Sequence, residues 1–149
     1  MLTKATEYAI RALVYIAIQN QGGKRPGFKE IASKIESPEQ FTAKVLQTLT
    51  RKRLVNSVKG RGGGFFFDNP DGVLPLFEVI QVLEGDAFFS KCGFGLKSCN
   101  AQDPCPLHQD YLPIREGFYN LLKKETIQSL ATKILGNKAT LNRLHLIAG

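Results

Sequence analysis

Leu54-Val55-Asn56-Ser57-Val58-Lys59-Gly60-Arg61-Gly62-Gly63-Gly64-Phe65-Phe66-Phe67 decides how this chain folds. Two short runs, 54–58 and 65–67, are rich in β-branched and aromatic residues and flank a turn of glycines and cations. That pattern predicts a β-hairpin with a basic, glycine-rich tip. Glycines there let backbone N–H groups approach an anion, and Lys59 and Arg61 add charge. A nucleotide-binding loop is the competing reading, but neither G-x-x-x-x-G-K-S/T nor strand-G-x-G-x-x-G-helix is present.

Upstream lie three helical stretches. Ser37-Pro38-Glu39-Gln40 reads as a helix start, with Ser37 as N-cap, Pro38 at the first helical position and Gln40 completing a capping box. Phe41, Val45, Leu46 and Leu49 form the apolar face of that helix. Gln40, Thr42, Ala43, Lys44, Gln47, Thr48 and Arg51 are left facing outward, a surface with no acid after Glu39. Before it, Phe28, Ile31, Ala32 and Ile35 fit a two-turn helix with one apolar edge. Residues 2–20 read as one helix whose Ala5, Ala9, Ala12, Leu13, Ile16 and Ala17 share a face, with Glu7 and Arg11 spaced as a surface ion pair. Helix, short helix, helix, basic hairpin is the order of a winged helix-turn-helix, whose third helix enters the DNA major groove and whose hairpin reaches the backbone or minor groove. Gln40, Thr42, Lys44, Gln47, Thr48, Arg51, Lys59, Arg61, Gly62 and Gly63 are the predicted DNA contacts.

Charge supports that division. The net charge is +7 over 149 residues, and residues 1–70 carry twelve Lys and Arg against five acids, whereas residues 71–149 carry eight of each. The front half is therefore the polyanion-binding half. No run of about 18 apolar residues predicts a membrane span, the N-terminal residues lack the order of a signal peptide, and three cysteines suit free thiols in a reducing cytoplasm better than a disulfide framework.

Downstream, Pro75 begins a helix carrying Leu76, Val79, Ile80 and Leu83 that stops at Gly85. Residues 91–108 then hold every cysteine and one of two histidines as C-x6-C-x5-C-x2-H. Cys92, Cys99, Cys105 and His108 make a complete four-ligand set for a metal or iron–sulfur site. Cys105, followed by Pro106 at a first helical position, would sit at a helix N-terminus that favours thiolate, with His108 on the same face. Zinc, thiol-only redox chemistry and three ordinary thiols are the other readings; the absence of C-x-x-C weakens zinc. Leu107, Tyr111, Ile114, Phe118 and Leu121 alternate in steps of four and three, a seam that predicts a two-fold dimer through Tyr111, Ile114, Phe118 and Leu121, or else a helix packed on its own domain, with Pro113 imposing a kink or a later start. Thr126 caps a last helix ending at Gly136. An enzyme is not expected: only His108 and His145 could serve as a base, and no nucleophile signature surrounds a cysteine.

Thr6-Glu7-Tyr8-Ala9-Ile10-Arg11-Ala12-Leu13, Glu30-Ile31-Ala32, Leu54-Val55, Lys59-Gly60-Arg61-Gly62-Gly63-Gly64-Phe65, Glu78-Val79-Ile80, Leu83-Glu84-Gly85 and the cysteine loop occur in the order found in winged-helix regulators of the IscR, NsrR and CymR type (Rrf-type), which the chain resembles over roughly residues 1–135. The resemblance implies a cytoplasmic, homodimeric transcription regulator, in most cases a repressor, on near-palindromic DNA. Because all three cysteines are kept, it also implies an iron–sulfur cluster, 2Fe–2S rather than 4Fe–4S, that senses iron–sulfur, redox or nitric oxide status. The fourth ligand is then His108, or Glu7, which stands where some nitric-oxide-sensing members offer an acid from the partner subunit. Members without a cluster imply the alternative of thiols, a partner protein or a small ligand as signal. Gln40, Ala43 and Lys44 differ from the best-known iron–sulfur member, which implies a different operator. The expected fold class is mainly α with a small β-hairpin wing: a winged helix-turn-helix domain (1–72), dimerisation helices with a long C-terminal dimerisation helix and the cluster loop 91–108 (73–136), and a C-terminal tail (137–149).

Overall fold

A row of small and branched apolar side chains makes the first helix the spine of the protein. α1 (Lys4–Gln21) starts at Thr3, whose side chain accepts a hydrogen bond from the Thr6 backbone N–H, and it buries Ala9, Ala12, Leu13, Ile16 and Ala17. Ala5, expected on the same face, is exposed. α2 (Phe28–Lys34) and α3 (Glu39–Arg51) pack with α1 around Ile31, Ile35, Leu46 and Leu49, all fully buried. β1 (Asn56–Val58) and β2 (Gly64–Phe66) pair antiparallel with Ser57 opposite Phe65, while Leu54 and Val55 before them enter the core. The architecture is mainly helical with a two-stranded wing, as the sequence predicts. The computed structural model describes residues 2–142.

α4 (Leu76–Glu84) and α5 (His108–Lys124) pack on each other, with Val79, Ile80 and Leu122 buried, and are joined by a 3-10 turn (Asp86–Ser90) and the cysteine loop. An aromatic cluster holds this unit: Phe77 stacks on Phe89 with centroids 4.5 Å apart and meets Tyr119 edge-on at 5.0 Å. α6 (Ile127–Leu135) opens with a capping box in which Thr126 and Ser129 exchange side-chain-to-backbone hydrogen bonds of 2.8 Å.

The described residues form two compact units, one of residues up to 74 together with those from 126 onward, the other of residues 75–125. α6 packs on α1 and so joins the winged unit, not the 73–136 grouping that chain order predicts. Sequence adjacency to α5 carries no information about which helix its apolar face meets; Ile127 and Ala131 are fully buried in the winged unit. Within the predicted tail, the Asn142 amide donates to the Lys34 carbonyl at the end of α2. Residues 143–149, including His145, lie outside the described residues.

Candidate nucleic-acid interface and thiol loop

α3 is positioned by its buried edge, and its opposite edge exposes Gln40, Lys44, Gln47 and Arg51, with Thr48 half-buried and bonded to the Lys44 carbonyl. Thr42 departs from the prediction. It is 1% exposed, and its hydroxyl bonds Ser37 Oγ at 2.8 Å and the Pro38 carbonyl at 2.9 Å. A threonine can enter a core this way because bonding back to the carbonyl four residues earlier satisfies its hydroxyl while its methyl packs. It is therefore not part of the outward face. The predicted cap is also different: Pro38 occupies the N-cap, no side chain caps the helix, and Ser37 instead serves Thr42. Phe41, expected in the core, is half-buried and meets the Tyr8 ring edge-on at 5.5 Å.

The wing is tied to the helices through backbone. Phe65 N–H donates to the Pro26 carbonyl at 2.9 Å, and the Asn20 side chain donates to the Lys24 and Phe65 carbonyls at 2.8 and 3.2 Å while accepting from Phe67 N–H at 3.0 Å. The sequence gives no sign of this role for Asn20, since an amide at a helix end is usually solvated. Gly63 and Gly64 are needed for packing: an added Cβ would lie 2.1 Å from the Val58 carbonyl oxygen and 2.2 Å from that of Arg25, and Gly64 has φ +139. Gly63 N–H already bonds the Gly60 carbonyl at 3.0 Å, so it is not the free phosphate donor that the sequence predicts. Lys59, Arg61 and Gly62 are exposed at the tip. Arg25, in a basic turn given no role by pattern alone, lies over the Phe66 ring at 4.0 Å. Between α2, α3 and the wing runs an open groove of about 560 Å³.

The predicted Glu7–Arg11 pair does not form. Glu7 pairs with Lys4 at 3.1 Å, and Arg11 reaches the Ile35 carbonyl and lies over Tyr8, which ties α1 to the end of α2. Glu7, the alternative fourth ligand, thus belongs to α1 of the winged unit and is half-exposed.

In the other unit, the thiols sit on irregular chain. α5 begins at His108 after Leu107, not at Pro106, so Cys105 precedes the helix by a turn, and a hydrogen bond from the Leu107 backbone N–H at the helix start only partly offsets what raises its pKa. Burial, followed by a hydrogen bond with the Cys92 thiol, pushes Cys105 up from its ordinary value. Cys92 is pulled down by the Phe94 backbone N–H, 3.4 Å from its sulfur, and by further hydrogen bonds from Leu96, Cys105 and Gly95. Cys99 Sγ lies 3.4 Å from His108 Nδ1, so His108 pairs with Cys99 and not with Cys105 as helical spacing predicts. Among the described residues no group of three or more His, Cys, Asp or Glu side chains is gathered as for a metal ion.

The predicted seam on α5 divides. Ile114 and Leu121 are 67% and 49% exposed, whereas Tyr111 and Phe118 are half-buried against their own unit, Tyr111 over Gly93 and Phe118 beside Phe88. Pro113 falls inside α5, which continues through it. No helix among the described residues is long and apolar enough to cross a membrane.

Comparisons with known proteins agree on one family. The sequence model of the Rrf2 family, described as "Iron-dependent Transcriptional regulator", matches residues 2–133. "Protein aau3" of Rhizobium meliloti (strain 1021) is 36% identical over 130 residues, covering 87% of this chain and 83% of that protein. The "HTH-type transcriptional regulator NsrR" of Oceanobacillus iheyensis is 27% identical, covering 87% of this chain and 88% of that protein. Among solved structures, CymR (YrzC), the global cysteine regulator of B. subtilis, superposes with a TM-score of 0.71 at 21% identity, covering 89% of this chain and 96% of the other, a likeness of fold.

Proposed function

This chain belongs to the Rrf2 family of transcriptional regulators, and we propose that within it the protein is a homodimeric repressor whose cysteine loop holds an iron–sulfur cluster and reports iron–sulfur, redox or nitric oxide status. The family is one of DNA-binding regulators and not of enzymes. A 2Fe–2S cluster on Cys92, Cys99, Cys105 and His108 is the form favoured over 4Fe–4S, with Glu7 of a second copy as the alternative to His108.

The observation that carries the cluster assignment is the 3.4 Å approach of Cys99 Sγ to His108 Nδ1. Three thiols and an imidazole are donors suited to iron–sulfur chemistry. The Phe94 N–H favours the Cys92 thiolate that ligation requires. When bound, a cluster supplies a centre sensitive to oxidants, nitric oxide and iron supply. The loop itself links the end of α4 to the start of α5. Its four donors, drawn together or released, give it two states, and a shift between them would alter how α5 seats against a second copy. Exposed Ile114 and Leu121 support such pairing. In the dimer the two α3 helices would read half-sites about 34 Å apart on a near-palindromic operator, with Gln40, Lys44, Gln47, Thr48 and Arg51 toward the bases and Lys59, Arg61 and Gly62 toward phosphates.

Anaerobic purification with a visible spectrum and iron and sulfide assays tests the cluster directly. Cys92→Ser, Cys99→Ser and Cys105→Ser should each lose most of the iron, and their DNA affinity should no longer respond to nitric oxide. If all three bind DNA as the parent does, both iron-replete and after nitric oxide, the coupling is refuted. The unequal thiols, Cys92 pulled down and Cys105 pushed up from the ordinary value, favour one second reading, a thiol switch without iron. An iron-free protein whose DNA affinity changes reversibly with oxidant would select it.

A further inference from the structure

The groove between α2, α3 and the wing is lined by Phe28, Ala43, Gln47, Val58, Lys59 and Phe65 among others. Phe28 is 37% and Val58 46% exposed, although they come from different elements and the apolar edge of α2 predicts Phe28 inside. Ala43 is the one apolar side chain on the outward edge of α3, and its short stem leaves the groove open at that point. Apolar surface facing water is unfavourable unless something covers it. Lys59 lines the groove, and Lys44, Arg51 and Arg61 are exposed on the α3 and wing elements that form it, where no acid falls between Glu39 and Asp68; on α2 the exposed Lys29 stands beside the exposed Glu30, whose carboxylate accepts from the Tyr15 hydroxyl. That rim suits a polyanion and disfavours a second copy of this basic unit.

We propose that the apolar groove formed by Phe28, Ala43 and Val58 receives the 5-methyl group of a thymine in each operator half-site. The proposal rests on the DNA-binding reading and adds a base preference to it. Base edges in the major groove present hydrogen-bond donors and acceptors, and the thymine methyl is their single apolar feature. Deoxyribose C–H groups are also apolar, but contact with them would carry no sequence preference. The Gln47 amide beside the groove is suited to the adenine of a neighbouring A·T pair.

The full chain, purified anaerobically, should first select duplexes from a randomised pool. Each thymine of the best duplex is then replaced singly by deoxyuridine, which removes one methyl and keeps every hydrogen bond, and binding is followed by fluorescence anisotropy. One symmetry-related pair of positions should bind about fourfold more weakly, the worth of one buried methyl-sized group. In Ala43→Ser and Val58→Ser, checked for native circular dichroism, the same replacement should change affinity less than in the parent. A selected duplex with no uracil-sensitive position overturns the groove assignment while DNA binding stands. An equal uracil effect in parent and both variants also overturns it, since the methyl is then read elsewhere. Failure to enrich any duplex, with no salt-dependent binding, removes the DNA reading and the groove assignment together.

Discussion

At the scale of single residues, Thr42 holds a position that the sequence pattern misjudges, and Tyr15 makes a contact that no pattern signals. Replacing Thr42 by valine keeps the shape and removes both hydrogen bonds, so urea unfolding should show a loss of about 1–2 kcal/mol. Because Thr42 is buried, the order of preferred DNA sequences should not change, whereas an outward Thr42 would shift it. Tyr15 provides the second test. Burial, and then its hydrogen bond and charge contact with Glu30 at 3.0 Å, push its pKa from 10.0 to about 12. A raised folded-state pKa means that the native state holds the proton more tightly than the unfolded chain. Its contribution is thus complete below pH 10 and is lost as pH rises toward 12. Ultraviolet titration should show one tyrosine ionising late, and Tyr15→Phe should remove that step. Polarity and spacing could not reveal either case, because a threonine that bonds back along its own helix and a tyrosine that finds a distant acid look like surface residues in a helical pattern. The Glu7–Arg11 spacing misleads for a related reason, since Arg11 finds a backbone carbonyl from another helix.

Elements were more legible than their ends. The three helices and the hairpin follow from apolar periodicity and the glycine-rich tip, and the helix cap at Thr126 lies where the sequence puts it. The starts of α3 and α5 do not, because a proline can be N-cap, first residue or part of a preceding turn, and local sequence does not choose among them. The wing shows what glycine composition alone conceals. Gly62 has no neighbour within 4 Å of a built Cβ, whereas Gly64 meets backbone at 2.2 Å. Gly64→Ala should therefore destabilise the protein by more than about 2 kcal/mol and weaken binding to all duplexes alike, while Gly62→Ala should cost about 1 kcal/mol. Thermal unfolding and anisotropy on two unrelated duplexes measure both effects.

At the scale of the molecule, the chain leaves the winged unit after residue 74 and returns at residue 126. The Leu74 carbonyl accepts from Ile127 N–H at 2.9 Å, and Leu74 N–H donates to the Gln128 side chain at 2.7 Å, so the points of exit and return are neighbours. Ending the chain at residue 72 should give a largely unfolded product, because α1 loses the buried Ile127 and Ala131 of α6. Bridging Leu74 to Thr126 with two or three glycines in place of 75–125 should keep the helical circular dichroism, abolish dimerisation by sedimentation and remove any response to nitric oxide. This nesting was hidden in the sequence, where α6 follows α5 without a break, and only long-range packing reveals it. A unit seated between adjacent anchor points behaves as a cassette. Its replacement by a foreign module with similarly close termini, a ligand-gated helical hairpin for instance, offers a way to give the same DNA reader a new input without redesigning the reader.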